Sequence, residues 1–262
     1  MFGRLLKHEF KSTWKEFCIL FGIIILAGIL LGGSIRSQVD VLISIAALIF
    51  AGAAMTLFSI GLLYIFRISG KSVYEKQGYL TFSIPITAHE LLISKIIAIM
   101  VYVIGIYLSL IISFEFMILI VEPSAASEIF DSIYYYFQYP ALLATRVLWN
   151  FFQLLFAVVS LQFCYAFANS GIFHGKRNVI VVFVIIALYI LVGIIEAIFP
   201  IDYYLYFNVD GTAFVGGLKD IFEGEENWIT YHSFGDLGFE IVLSLLLYFV
   251  SAKIIENRLE LE

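Results

Sequence analysis

The run Val179-Ile-Val-Val-Phe-Val-Ile-Ile-Ala-Leu-Tyr-Ile-Leu191 decides the fold of this chain. Wound as a helix, it is apolar on every side. A helix on the surface of a soluble domain instead carries one apolar stripe and one polar face. A transmembrane strand fits no better, because barrel strands alternate lipid-facing and lumen-facing residues over about 10 positions. The apolar run extends from 179 to 199. At about 1.5 Å per residue, roughly 20 such residues cross a hydrocarbon core about 30 Å thick. Working outward, five further runs meet the same requirement, near 17–35, 41–66, 91–121, 147–173 and 237–255. The runs 41–66, 91–121 and 147–173 exceed the minimum, which permits tilt or extension beyond the lipid. The expectation is an all-α polytopic membrane protein, with six transmembrane helices in a single domain over residues 1–262.

Composition agrees. The chain is 62% hydrophobic and only 14% charged, against about half and about a quarter in soluble domains. A soluble fold of this composition would expose large apolar patches, whereas lipid solvates them. Cys18 and Cys164 fall in separate spans and read as small packing residues rather than a disulfide framework. A net charge of −6 argues against nucleic acid as a partner. No A-x-A-like site follows the first apolar run, so it reads as a retained span rather than a cleaved signal.

Basic residues set the expected orientation. Arg4, Lys7, Lys11, Lys15, Arg67, Lys71, Lys76, Lys95, Lys176, Arg177, Lys253 and Arg258 share one side of a six-span layout, and Arg36, Arg146 and Lys219 the other. The positive-inside rule places both termini in the cytoplasm. The outer side is acidic: its longest loop, 200–236, carries Asp202, Asp210, Asp220, Glu223, Glu225, Glu226 and Asp236. Tyr134, Tyr135, Tyr136 and Tyr139, with Tyr203, Tyr204 and Tyr206, read as an aromatic belt at headgroup level, the alternative being a substrate-contacting cluster.

Two cytoplasmic elements stand out. Over 2–16, Phe2, Leu6, Phe10 and Trp14 recur every four residues, while Arg4, Lys7, Lys11 and Lys15 fall on another side. This pattern suits an amphipathic helix lying flat in the inner interface of the bilayer. In the stretch 67–90, Gly70 and Gly78 bracket a short polar helix with Tyr74, Glu75 and Lys76, and Pro85 forces a break. Thr87 and Glu90 then form a capping-box pattern ahead of the apolar run from Leu91. A short helix held between two spans, bearing the aromatics Tyr74, Tyr79 and Phe82, suits docking of a soluble partner. Gly70-Lys71-Ser72 is not the end of a phosphate-binding loop. The required first glycine would stand at 65, where the chain has Ile65, and a span rather than a strand precedes it.

The layout resembles the permease subunits of the ABC-2 group of ABC transporters, over the whole chain in topology and most sharply at 67–95. There the family tends to show an acidic residue, a glycine, an apolar stretch, a Leu-Pro-like pair and a lysine one turn into the next span. The corresponding residues here are Glu75, Gly78, Tyr79–Leu80, Ile84-Pro85 and Lys95, with Ile84 departing from the usual leucine. The closing Glu256-Asn257-Arg258-Leu259 is also similar to the family's basic end. The resemblance implies a permease working beside a second copy or a homologous permease, with two ABC ATPase subunits that bind ATP and magnesium. The permease itself would hold no cofactor. Tyr74, Glu75, Lys76, Gly78, Tyr79, Leu80 and Pro85 would form the coupling segment, and the N-terminal helix with Lys7, Lys11 and Trp14 would also contact the ATPase. Spans 41–66 and 179–199 would line the path, short external helices within 200–236 would gate it, and the direction would be export of a peptide or drug-like substrate.

Other residues bear groups with candidate chemistry. Glu115 and Glu196 lie inside apolar runs, where a carboxylate is costly and so a candidate pathway or gate residue. Glu115 stands about 25 residues, or about 37 Å, from the start of its run, which places it near the outer interface. Glu240 reads as an N-terminal charge of the last span. Gly28 and Gly32 make a small-x-x-x-small pair suited to close helix packing. His8, His89, His174 and His232 are dispersed, which leaves a metal cluster unsupported. His232-Ser233 with Asp236 lacks the constraint a hydrolase triad requires. An intramembrane enzyme would need paired acids, clustered histidines or a Ser/Lys dyad, none of which the spans show. A sensor or scaffold protein binding a cytoplasmic partner is the alternative to transport.

Overall fold

The computed structural model describes residues 2–71, 87–124, 131, 134–170, 177–198, 203–208, 212–217 and 228–258. Six helices are long and apolar enough to cross a membrane. They are α1 (Phe2–Ser37), α2 (Asp40–Phe66), α3 (Ala88–Val121), α4 (Pro140–Ala168), α5 (Arg177–Ile198) and α6 (Phe234–Arg258). The polytopic helical class expected from the apolar runs stands. The chain divides into two compact units, Met1–Ile133 and Tyr134–Leu261, each described on its own below.

In the first unit α1 packs along α3, with α2 at their side. The Gly28 and Gly32 pair makes this seam possible. A Cβ on Gly32 would stand 2.9 Å from the Met117 carbonyl oxygen and 3.2 Å from Ile120 Cβ, and one on Gly28 would stand 2.6 Å from the Ser113 carbonyl oxygen. Close backbone approach is the use of small residues in membrane helices, where burial of apolar area supplies no drive because lipid is equally apolar. The Ser113 hydroxyl donates to the Ile24 carbonyl at 2.8 Å and pins the two helices. Leu20, Ile24 and Leu57 form the buried centre between α1 and α2. Nearer the α1 start, Phe17 is 1% exposed and stacks on Tyr102 with centroids 4.1 Å apart, beside Tyr64 at 5.3 Å. Gln38, with φ 55°, occupies the left-handed region and turns α1 into α2.

One expectation is corrected here. A flat interfacial helix over 2–16, separate from the first span, is not present; α1 is one unbroken helix from Phe2 to Ser37. No glycine or proline interrupts residues 4–21. Phe10 and Phe17, two turns apart, both reach Tyr102 and so keep the amphipathic part in line with the span.

In the second unit α4 packs against α6 and α5. Proline at the first position of α4 suits a helix start, since the missing N–H has no partner there anyway. The buried hydroxyls of Ser244 and Ser251 donate back to the carbonyls of Glu240 and Leu247, which satisfies them in an apolar setting. Short external helices are expected within 200–236, where residues 200–202, 209–211 and 218–227 lie outside the described residues. The described part of 200–236 is a three-stranded antiparallel sheet of order β2-β1-β3, with β1 Tyr204–Asn208, β2 Ala213–Gly216 and β3 Trp228–Ser233. Tyr206 pairs with Phe214 on β2 and with Tyr231 on β3. β-branched and aromatic residues such as Tyr204, Phe207, Val215 and Ile229 favour strand over helix. The sheet is tied to α6 by Phe234 N–H donating to the Tyr203 carbonyl at 3.0 Å.

Candidate functional sites at the two ends of the helices

At the end of the first unit where α1 begins, α2 does not stop at Phe66. The Arg67 N–H is shared between the Leu63 and Tyr64 carbonyls, and the backbone then widens into a π turn, Arg67–Lys71. Within that turn Ile68 and Ser69 are buried. π turns are rare and concentrate at functional positions. Across the gap, α3 opens with the capping box expected from sequence. Glu90 N–H donates to Thr87 Oγ1 at 3.2 Å, and Thr87 N–H donates to the Glu90 carboxylate at 3.3 Å. Lys95, two turns into α3, is 2% exposed. The candidate coupling residues Tyr74, Glu75, Lys76, Gly78, Tyr79, Leu80 and Pro85 lie outside the described residues. Lys7, Lys11 and Trp14 are exposed on α1.

The carboxylates proposed from sequence have different surroundings. Glu115 sits six residues from the end of α3, about 9 Å along the axis. Its Oε2 is buried and has no hydrogen-bond partner among the described residues. Glu196, near the end of α5, is exposed. The two residues belong to different units.

Sequence reasoning missed a grouping in the second unit. Glu240 is not a first-turn charge: α6 begins at Phe234, so Asp236 holds that place and Glu240 lies a turn deeper. Its Oε2 is buried and has no hydrogen-bond partner among the described residues, and the carboxylates of Asp236 and Glu196 are both within electrostatic reach. The four-residue spacing of Asp236 and Glu240 was the available signal, since such residues share one helix face. Nearby, the Ser233 hydroxyl accepts from Asp236 N–H at 3.1 Å and caps α6, which is a structural duty rather than that of a nucleophile. Trp149 Nε1–H donates to the Ser233 carbonyl at 3.2 Å, and its ring lies 5.0 Å from that of His232. The Arg146 guanidinium donates to the Tyr136 hydroxyl and lies over that ring.

Burial, and then the nearby Arg146 guanidinium, hold the His232 imidazole below its usual range. The unfolded chain therefore takes up a proton near pH 6.5 that the folded chain refuses. Stability is full above that pH and falls as the pH drops toward the lower folded value. With Trp14 and Trp228 replaced by phenylalanine, Trp149 emission should change below about pH 6.5. His232→Gln should flatten that profile, and an unchanged profile would count against the contact.

Among the described residues, no group of three or more histidines, cysteines or acids could hold a metal ion. Cys18 and Cys164 are free thiols. The chain matches no family model, no curated protein and no solved structure.

Proposed function

We propose that the chain is the membrane-spanning permease subunit of an ATP-driven exporter, with ATP hydrolysis in a separate soluble ATPase. The observation that carries this reading is how α2 and α3 are built on either side of the stretch 72–86. The chain leaves α2 through a π turn whose Ile68 and Ser69 are buried, and it enters α3 through a complete capping box. A segment anchored rigidly at both ends can pass a push from a soluble partner into two spans. The resemblance at Glu75, Gly78, Ile84-Pro85 and Lys95 names that partner as an ABC ATPase. In this reading two ATPases serve a pair of permeases in the cell membrane, with both termini cytoplasmic. α2 and α5 line the path. They are the least buried of the six spans. Glu115, with an oxygen unpartnered among the described residues, and Glu196 are the candidate path residues, and the substrate is a hydrophobic or amphipathic peptide or a drug-like molecule.

Co-purification tests the reading first. A stoichiometric ATPase should accompany the chain, and a chain isolated alone that moves nothing would favour a sensor or scaffold. In the reconstituted complex, Glu75→Ala and Tyr79→Ala should each lower transport about tenfold at unchanged ATP hydrolysis, within the usual span of coupling energies. Unaltered transport in both variants would remove the coupling role.

A further inference from the structure

We infer that the first turns of α1 form a binding site for anionic phospholipid headgroups, and that Lys11 and Lys15, but not Lys7, hold them. The inference depends on α1 being unbroken and applies to the chain without its ATPase, so it stands apart from the permease reading. The Phe10 and Phe17 contacts with Tyr102 fix how α1 is rotated. At 100° per residue, Trp14, Lys7, Cys18, Lys11 and Lys15 then follow one another around a single side, about 40° to 140° from Phe10. All five are exposed, and the three lysines have no ion-pair partner among the described residues. Glu16, also exposed, falls on the far side of the helix. Among the described residues the charges on this face are thus all cationic, with one half-exposed tryptophan at its edge nearest Phe10.

Distance along the axis decides which lysines meet lipid. The apolar span begins at Trp14. The headgroup layer on each side of a bilayer is about 5–8 Å deep. Lys15 stands at the hydrocarbon boundary and Lys11 about 4–5 Å beyond it, both within reach of that layer. Lys7 stands about 10 Å beyond, past the layer. Helical side chains lean toward the helix N-terminus, so Lys15 reaches out from the boundary into the phosphates while Lys7 leans away into water. Trp14 marks the level at which indole rings settle. An acidic surface on a soluble protein would also attract lysines. The basic side runs without interruption into the apolar span through Trp14 and Cys18, which matches the headgroup-to-hydrocarbon boundary rather than a soluble surface.

The test uses the full-length chain in detergent micelles carrying phosphatidylglycerol or phosphatidylcholine, with retained lipids counted by native mass spectrometry. Phosphatidylglycerol should be retained in preference, and 0.5 M salt should weaken that preference. Lys11→Gln and Lys15→Gln should each lower it about fivefold, and Lys7→Gln should leave it within twofold. Equal retention of both lipids overturns the inference, as does an equal loss at all three lysines. Unchanged retention in Lys11→Gln and Lys15→Gln, joined to loss of a co-purified acidic protein, assigns the face to that protein instead and also overturns it. Circular dichroism of the variants separates lost binding from lost helix.

Discussion

Gly32→Ala should lower the unfolding temperature in detergent by several degrees, while Gly33→Ala, one residue on, should leave it unchanged or raise it slightly. The two glycines share a helix, a membrane depth and a chemistry, and differ only in what their missing side chain would meet. At Gly32 a Cβ would lie 2.9 Å from the Met117 carbonyl oxygen and 3.1 Å from the Met117 Cα, so backbone must move. At Gly33 nothing lies within 4 Å. Overpacking of this kind costs about 1–3 kcal/mol. An unstrained glycine-to-alanine exchange instead gains about 0.4–1 kcal/mol by restricting the unfolded chain. Gly28→Ala should behave like Gly32→Ala, because its Cβ would lie 2.6 Å from the Ser113 carbonyl oxygen. Equal effects at Gly32 and Gly33 would mean that the α1–α3 seam is not where the structure puts it.

The second large effect should follow Phe17→Ala. Phe17 is the shared contact of Phe21, Tyr64 and Tyr102, and therefore of all three helices of its unit. Truncating a buried phenylalanine costs about 3–5 kcal/mol through lost contacts and the cavity left behind. In a membrane the loss is one of packing, because lipid would solvate the freed surface as readily as protein does. Ile19→Ala supplies the contrast, since Ile19 is 62% exposed and removing it should change stability by no more than about 0.5 kcal/mol. Thermal unfolding of the two variants side by side checks the prediction, and a Phe17→Ala protein as stable as Ile19→Ala would contradict it.

How much of this was legible in the sequence depends on the range of the interaction. The six spans were, because length and apolarity are properties of each run alone. The capping box was, because Thr87 and Glu90 are three residues apart and meet within a single turn. The Gly28 and Gly32 pair announced a close approach, but its partners Ser113, Met117 and Ile120 are more than 80 residues away and nothing local points to them. The α4 start was placed too late, at 147, because Arg146 interrupts the apolar run. The helix continues back to Pro140, with Arg146 held by Tyr136. The external strands were missed because their tyrosines fit a headgroup belt equally well. The Glu196, Asp236 and Glu240 grouping needed knowledge that α5 ends where α6 begins, which no single run carries. The coupling residues from Tyr74 to Pro85 rest on sequence alone.

The π turn at Arg67–Lys71 also bears on how chain length can vary. An α-helix advances about 100° per residue, so a deletion inside one rotates everything beyond it onto the wrong side. A π turn holds one residue more than an α turn. Removing one residue from Arg67–Lys71 would restore regular winding and leave α2 facing as it does now. Evolutionary variants one residue shorter at this point are therefore compatible with the same packing, whereas a gap at 57–61, beside buried Leu57 and Gly61, is not.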